Sequence, residues 1–350
     1  MTSRTRLIVL SSVFVVLLAT YLVGALGMSR AGRSPVAGEP VLGEDIVSES
    51  ALVRIRGEGQ SEESTTTELR REQESSWLVD IGGDLYPADP DHVGGLLDAL
   101  TGLRKVRVAA SGEEYFADFK VDEDAARLIA LEGEDGQELS RLFVGKAVTG
   151  GGQMYLRRAG EDDVYIVDRD IGFYFGQQKP YWSDLVPFPQ DLSPQAITRL
   201  SVEADLQVDS EMRVVDTFTV FREPGDGGSP WRIDSGAGDA AQELAQQDVD
   251  TWASRIPEYE PSAFVTEAPA ETGLGNPAAR LVIEDEAGRR FEVRIGDSAG
   301  DARFYTRVSG PGVDVADDGR PFLYTVSSWQ VRRILRNRDA IVAGGAETEQ

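Results

Sequence analysis

The sequence predicts an α+β fold: two tandem homologous repeats, each an antiparallel sheet with one main packing helix, behind an N-terminal transmembrane helix. Three observations predict it. A long uncharged run lies near the start, a set of landmarks recurs in order about 150 residues apart, and one stretch of helical period sits inside each copy.

The uncharged run is Leu7 to Ser29, 23 residues of LIVLSSVFVVLLATYLVGALGMS. As a helix it spans roughly 34 Å, enough for the ~30 Å hydrocarbon core of a bilayer. Val13 to Leu18 cover every side of that helix with apolar groups, so no polar face is left for water. A signal peptide has a shorter apolar region, which favours a retained anchor. No cysteine is present to carry a lipid, and Arg4-Thr5-Arg6 is not a twin-arginine signal. Arg30 and Arg33 nearly balance Arg4 and Arg6, so the basic residues set the orientation only weakly. The short stub 1–6 is the end expected in the cytoplasm, with the bulk of the chain extracytoplasmic, or periplasmic.

The repeat comes next. Leu52-Val53-Arg54-Ile55, then Thr67 to Glu72, then Trp77-Leu78-Val79-Asp80 are matched by Ile197-Thr198-Arg199-Leu200, Phe218 to Glu223 and Trp231-Arg232-Ile233-Asp234. A helical stretch follows each tryptophan: Asp91 to Leu100, ending near Leu103, and Gln247 to Ile256. Val93, Leu96, Leu97 and Leu100 fall at i, i+3, i+4 and i+7, the spacing of one buried helix face. Strand patterns then pair off: Leu128 to Leu131 with Leu281 to Ile283, Leu142-Phe143-Val144-Gly145 with Val293 to Gly296, Tyr155-Leu156-Arg157 with Tyr305-Thr306-Arg307, and Val164 to Val167 with Leu323 to Val326. The tryptophans are 154 residues apart, the glycines 151 and the tyrosines 150. Short loop insertions produce such drift, and the constant order marks a duplication. One helix on one sheet face buries both apolar surfaces. The expected boundaries are a linker over 30–50, the first repeat over 51–182, a proline-bearing linker over 183–195, the second repeat over 196–342 with a closing helix from Gln330 to Val342, and a disordered tail over 343–350.

Composition limits the chemistry. A hydrophobic fraction of 41% supports real cores. The formal charge of −25, with only four lysines among 35 basic residues, repels phosphate backbones and excludes nucleic acid as a partner class. With no cysteine there is no disulfide and no thiolate nucleophile; with one histidine, His92, there is no histidine triad or multi-histidine zinc site. The spacing of Asp314-Val315-Ala316-Asp317-Asp318-Gly319 departs from the EF-hand rule and reads as a solvated turn, with calcium as the sharper alternative. Gly150-Gly151-Gly152 joins two strands and lacks the Gly-Lys-Ser/Thr of a phosphate loop, which makes it a hairpin connection. No catalytic residue, cofactor or metal site is expected.

Tyr155 and Arg157, like Tyr305 and Arg307, share one face of a strand. Each pair reads either as a structural stack of guanidinium on ring or as a repeated contact to a ligand or partner. Tyr181 and Trp182 belong to an aromatic group (with Phe173, Tyr174, Phe175 and Phe188) that is expected to pack, or to dock a partner if exposed.

The pattern resembles the DUF4340 family, a tandem-repeat domain of unknown function behind an N-terminal membrane helix. The resemblance rests on Trp77 and Trp231, the helix between Ala88-Asp89 and Leu103, the ends Phe143-Val144-Gly145 and Arg294-Ile295-Gly296, and the two Tyr-x-Arg pairs, and it covers most of residues 50–340. The Gly/Ala-rich stretch 236–241 departs from it. Family members tend to be encoded beside ABC-type transporter components linked to gliding motility. The resemblance therefore implies a non-enzymatic, membrane-anchored interaction protein, with a membrane-protein partner such as a transporter subunit. The alternative is an extracytoplasmic binding module for a small molecule or glycan, held in a cleft between the repeats.

Overall fold

The computed structural model describes residues 36–58, 66–73, 76–223, 229–234, 243–267, 269, 271–316 and 319–343. The expected stub and anchor (1–29), the start of the linker, the stretch 236–241 and the tail from 344 lie outside the described residues. Among the described residues no helix is long and apolar enough to cross a membrane. The chain divides into two compact units, Met1–Ser75 with Asp91–Gln177, and Ser76–Pro90 with Gln178–Gln350.

Two antiparallel sheets with few helices make up the fold. The first holds β1 (Leu52–Arg56), β2 (Thr67–Arg71), β3 (Trp77–Ile81), β4 (Asp84–Pro87), β5 (Lys105–Ser111), β6 (Arg127–Glu132), β7 (Glu138–Ala147), β8 (Met154–Arg158) and β9 (Asp163–Val167), in the order β4-β3-β2-β1-β6-β7-β8-β9-β5. The second holds β10 (Ile197–Gln207), β11 (Arg213–Phe221), β12 (Arg232–Ile233), β13 (Ala263–Phe264), β14 (Ala279–Asp285), β15 (Arg290–Gly300), β16 (Arg303–Ser309) and β17 (Leu323–Ser327), in the order β12-β11-β10-β14-β15-β16-β17-β13. Apart from β4 the two orders coincide, which is consistent with two repeats.

Register agrees with order. Leu128 faces Phe143, Phe143 faces Arg157 and Arg157 faces Val164. In the second sheet Arg280 faces Arg294, Arg294 faces Arg307 and Arg307 faces Leu323. One landmark moves. Val53 faces Leu69 and Leu131, and its counterpart facing Val220 and Ile283 is Leu200. Arg54 therefore corresponds to Ser201, two residues beyond the expected Arg199. A two-residue slip keeps every side chain on its face, so alternation alone cannot detect it.

The helix of each copy falls close to where periodicity puts it. Helix α2 (Pro90–Thr101) buries Val93, Leu96 and Leu100, whereas Leu97 is half-buried. Its counterpart, α5 (Gln246–Arg255), buries Val249, Trp252 and Ala253 against Leu200, Phe218 and Val220 of the second core. A Cβ on Gly145 would strike the carbonyl oxygen of Phe119, and one on Gly296 would strike that of Thr272. At both matched glycines a crossing segment lies directly on the strand. That explains why a glycine stands at the matched point of the same strand in each copy.

Three expected boundaries change. Residues 38–50 are not all linker: the N–H of Val41 donates to Leu103 at 3.0 Å, and Val41, Leu42 and Val47 (the last on α1, Glu44–Ser48) are buried. Within 183–195, Leu185, Phe188 and Leu192 are buried, the last two in the core of the second unit. Prolines stop regular structure there without keeping apolar side chains in water. The closing helix, α6 (Ser328–Ile334), stops eight residues early. Beyond it the Arg338 N–H donates to Asp216 at 2.7 Å and Asn337 donates to the Arg213 carbonyl at 3.0 Å, so tertiary partners outbid the helical period.

Candidate functional site

The two Tyr-x-Arg pairs sit at matched positions but in different surroundings. In the first unit a segment running through α3 (Phe116–Phe119) to Val121 covers the outer face of β6 to β9. Arg157 is buried under it, its guanidinium carbon 4.1 Å from the Phe116 ring centroid and 4.2 Å from that of Phe143. Its Nε donates to the Val121 carbonyl at 3.1 Å. Burial pulls the guanidinium pKa down, and the carboxylates of Glu123, Glu113, Asp122 and Asp162 oppose that. Tyr155 is half-buried and stacks on Phe119, with centroids 4.5 Å apart. Arginine does stack on rings here, but on phenylalanines of the covering segment and its own sheet.

At the matched place in the second sheet the register substitutes Arg280 and Arg294 for Leu128 and Phe143. An ion-paired ladder forms there: Arg280 to Glu292 at 2.6 Å and Arg294 to Glu292 at 3.0 Å. Tyr305 and Arg307 are both half-buried, and Arg307 lines a cavity of about 340 Å³. The β4 hairpin (Asp84, Leu85, Tyr86), the residues after β13 (Val265, Thr266) and residues leading into β17 (Ala316, Arg320, Pro321, Phe322) line it too. All of these belong to the second unit.

Each part of that wall has a local cause. Tyr86 is held between Phe264, at 4.3 Å, and Phe322, at 5.3 Å between centroids. Burial and the neighbouring Asp84 carboxylate push its hydroxyl pKa up. The turn is a small hairpin: Val315 bridges Pro321, and the Ala316 N–H donates to the Arg320 carbonyl at 2.9 Å. That places Arg320 at the mouth. Arg307, Arg320 and Asp84 thus line one cavity together with Thr266 and with aromatic and aliphatic residues.

The remaining candidates pack. Trp182, at the end of α4 (Lys179–Trp182), is fully buried, meets Tyr181 edge-on at 5.0 Å, and its carbonyl accepts from the Asp89 N–H at 2.8 Å. His92 is half-buried on α2. Gly150 to Gly152 form the tip of the β7–β8 hairpin, all with positive φ. Among the described residues no group of three or more His, Asp or Glu could hold a metal ion. One repeated contact was not read from the sequence. Arg71 donates to the Ser48 carbonyl at 2.9 Å, and its counterpart Arg222 donates to Gln195 at 2.6 Å and Pro194 at 3.0 Å. Each guanidinium closes the turn that enters the first strand of its sheet. The matched Arg-Glu dipeptides at 71–72 and 222–223 were the available signal.

Residues 81–230 match the family model of DUF4340, a domain of unknown function. The DUF4340 match starts at the end of β3 and stops just before Trp231. It therefore takes in α2, the later strands of the first sheet and the two opening strands of the second. An uncharacterized protein of Treponema pallidum (strain Nichols) is 20% identical over 155 residues, 44% of this chain and 49% of that protein. The match thus spans about half the length of that relative. No solved structure matches the chain.

Proposed function

We propose that this chain is a non-enzymatic interaction protein held at the cytoplasmic membrane by residues 7–29. Its two homologous α+β repeats, each a sheet with one main packing helix, lie on the extracytoplasmic side, beside an ABC-type transporter or another envelope complex. The observation that carries the reading is where the large aromatics stand. The repeat tryptophan Trp231, with Trp252 and Trp182, is consumed by packing, whereas Phe173 and Trp329 are 60% and 61% exposed, one in each unit. Arg333 lies 5.0 Å from the Trp329 ring, and aromatic and arginine side chains dominate interface energetics. The uncharged run and the DUF4340 match support the anchored setting. Crosslinking in native membranes followed by mass spectrometry tests it. A transporter subunit joined to the chain through Trp329 or Phe173 is the expected result; recovery of the chain alone overturns it.

A second reading, a binding module for a small molecule or glycan, is favoured by the cavity at Arg307. Cavities of a few hundred Å³ with apolar walls and few polar groups are the usual form of ligand sites.

A further inference from the structure

The segment that crosses the first sheet at Gly145 has a counterpart in the second at Gly296, and the two supply a comparison inside one molecule. Phe119 and Thr272 place their carbonyls over the two glycines, and the residue after each, Lys120 or Gly273, has a positive φ of 57° or 70°. Glycine takes that conformation freely, whereas a side chain opposes it. Lys146 and Asp297 follow the glycines in the strands. Arg127 and Ala279 share a register position, facing Val144 and Ile295. Where the second copy has glycine, alanine and aspartate, the first has three cations. The crossing therefore closes without any of them.

Lys120, Arg127 and Lys146 line one cavity of about 230 Å³ within the first unit. It gathers two of only four lysines in a chain of formal charge −25. Arg127 donates to the Gly145 carbonyl and lies 5.1 Å from the Phe175 ring centroid. The Lys146 ammonium donates to the Asp118 carbonyl at 2.6 Å. Neutral acceptors thus hold both groups in place. Among the described residues one carboxylate, Glu58, shares the wall, and it pairs with Lys120 from a half-exposed position. Asp170 is the other carboxylate whose charge acts on Arg127.

We propose that this cavity binds a small phosphate dianion, as the free ion or a monoester, with Glu58 as the side chain that it displaces. Ammonium groups meet phosphate as point charges, and the guanidinium adds a fork of donors. Glu58 on Lys120 is the internal stand-in, an oxyanion already seated at one of the three cations. Once it leaves, a doubly charged group gains more from those cations than a monocarboxylate does. The acidic surface does not forbid this. Charges beyond about 8 Å are largely screened at physiological ionic strength, so a small anion feels the local cations, whereas a long phosphate backbone would also meet the carboxylates around them.

Isothermal titration of the full chain in an uncharged maltoside detergent, at mildly alkaline pH and matched ionic strength, tests this. The probes are inorganic phosphate and glycerol 3-phosphate, with acetate as the comparator. Binding of either phosphate at least about tenfold tighter than acetate is the expected result, and the tighter of the two names the source. Lys120→Gly installs the residue of the second copy. It should weaken phosphate by about tenfold or more while the melting midpoint of the ligand-free protein does not fall. Glu58→Gln removes the internal competitor and should tighten phosphate. Acetate binding as well as phosphate overturns the assignment of class, and binding of none of the three overturns the site. An unchanged affinity in Lys120→Gly, with or without a lower midpoint, makes that lysine structural and the proposal wrong. Should Lys120→Gly fail to fold, an affinity that is unchanged or weaker in Glu58→Gln is decisive against it.

Discussion

The indole N–H of Trp252 donates to the carbonyl oxygen of Ile334 across 2.7 Å, with both residues buried. One hydrogen bond thereby fastens α5 to the last turn of α6, whose carbonyls have no partner further along the helix. Trp252→Phe keeps most of the apolar volume and removes the donor. It should cost about 1–3 kcal/mol, the penalty for an unsatisfied buried carbonyl. Trp252→Ala, which also opens a cavity, should cost about 3–5 kcal/mol. Denaturant unfolding measures both, and an unchanged stability in Trp252→Phe would show that the hydrogen bond contributes nothing.

Gly145→Ala and Gly296→Ala should each destabilise by about 1–3 kcal/mol or more, because the new methyl meets a backbone oxygen that cannot rotate away. The same change at Gly94, where α2 leaves open space, should be neutral or stabilising. Chemical denaturation of the three variants orders them. Similar values would mean that the close crossings relax freely.

Arg157→Ala removes two ring contacts and leaves a void, and should lose about 2–4 kcal/mol. Arg307→Ala, at the matched position but half-buried beside the cavity, should lose about 1 kcal/mol or less. Melting curves of the pair separate an arginine held by packing from one at a cavity wall. Equal destabilisation would make both structural.

Asp184 supplies a pH dependence. Burial raises its carboxyl pKa above the usual range, and Asp89, Asp314 and Glu260 add to the rise, against the hydrogen bond accepted from the Val186 N–H at 3.0 Å. The folded protein therefore holds this proton more tightly than the unfolded chain. Its stability contribution is present below the unfolded pKa and is lost as pH climbs through the folded value. Asp184→Asn keeps an acceptor for Val186 and should be more stable than the parent at pH 7. The advantage should shrink on acidification into the carboxylate range, as read by melting at a series of pH values. An advantage that stays constant would show that Asp184 does not titrate in that window.

Much of this fold was legible because duplication tests itself: an order of strands that recurs is hard to misread. The elements missed are those that leave no period. Strand β13 has two residues, too few to show alternation. Its counterpart β5 carries two register shifts against β9, which break the pattern of a half-buried strand. The cover over the first sheet is a short helical turn and coil from Glu113 to Val121, recognisable only once Arg157 is seen beneath it. Tyr155, Arg157, Tyr305 and Arg307 lie on strands, yet their roles did not follow from the motif. Arg157 and Arg307 each follow a tyrosine by two residues, and their surroundings differ because Phe143 faces one and Arg294 the other. A strand's cross-partner is not written beside it in the sequence.

The second sheet ends on both sides in strands of only two residues, β12 and β13. A margin that short offers few open N–H and C=O groups to a neighbouring chain. Proteins at high local concentration meet repeatedly edge to edge, and long bare margins zip into fibrils. Clipped strands let this unit be packed densely without polymerising.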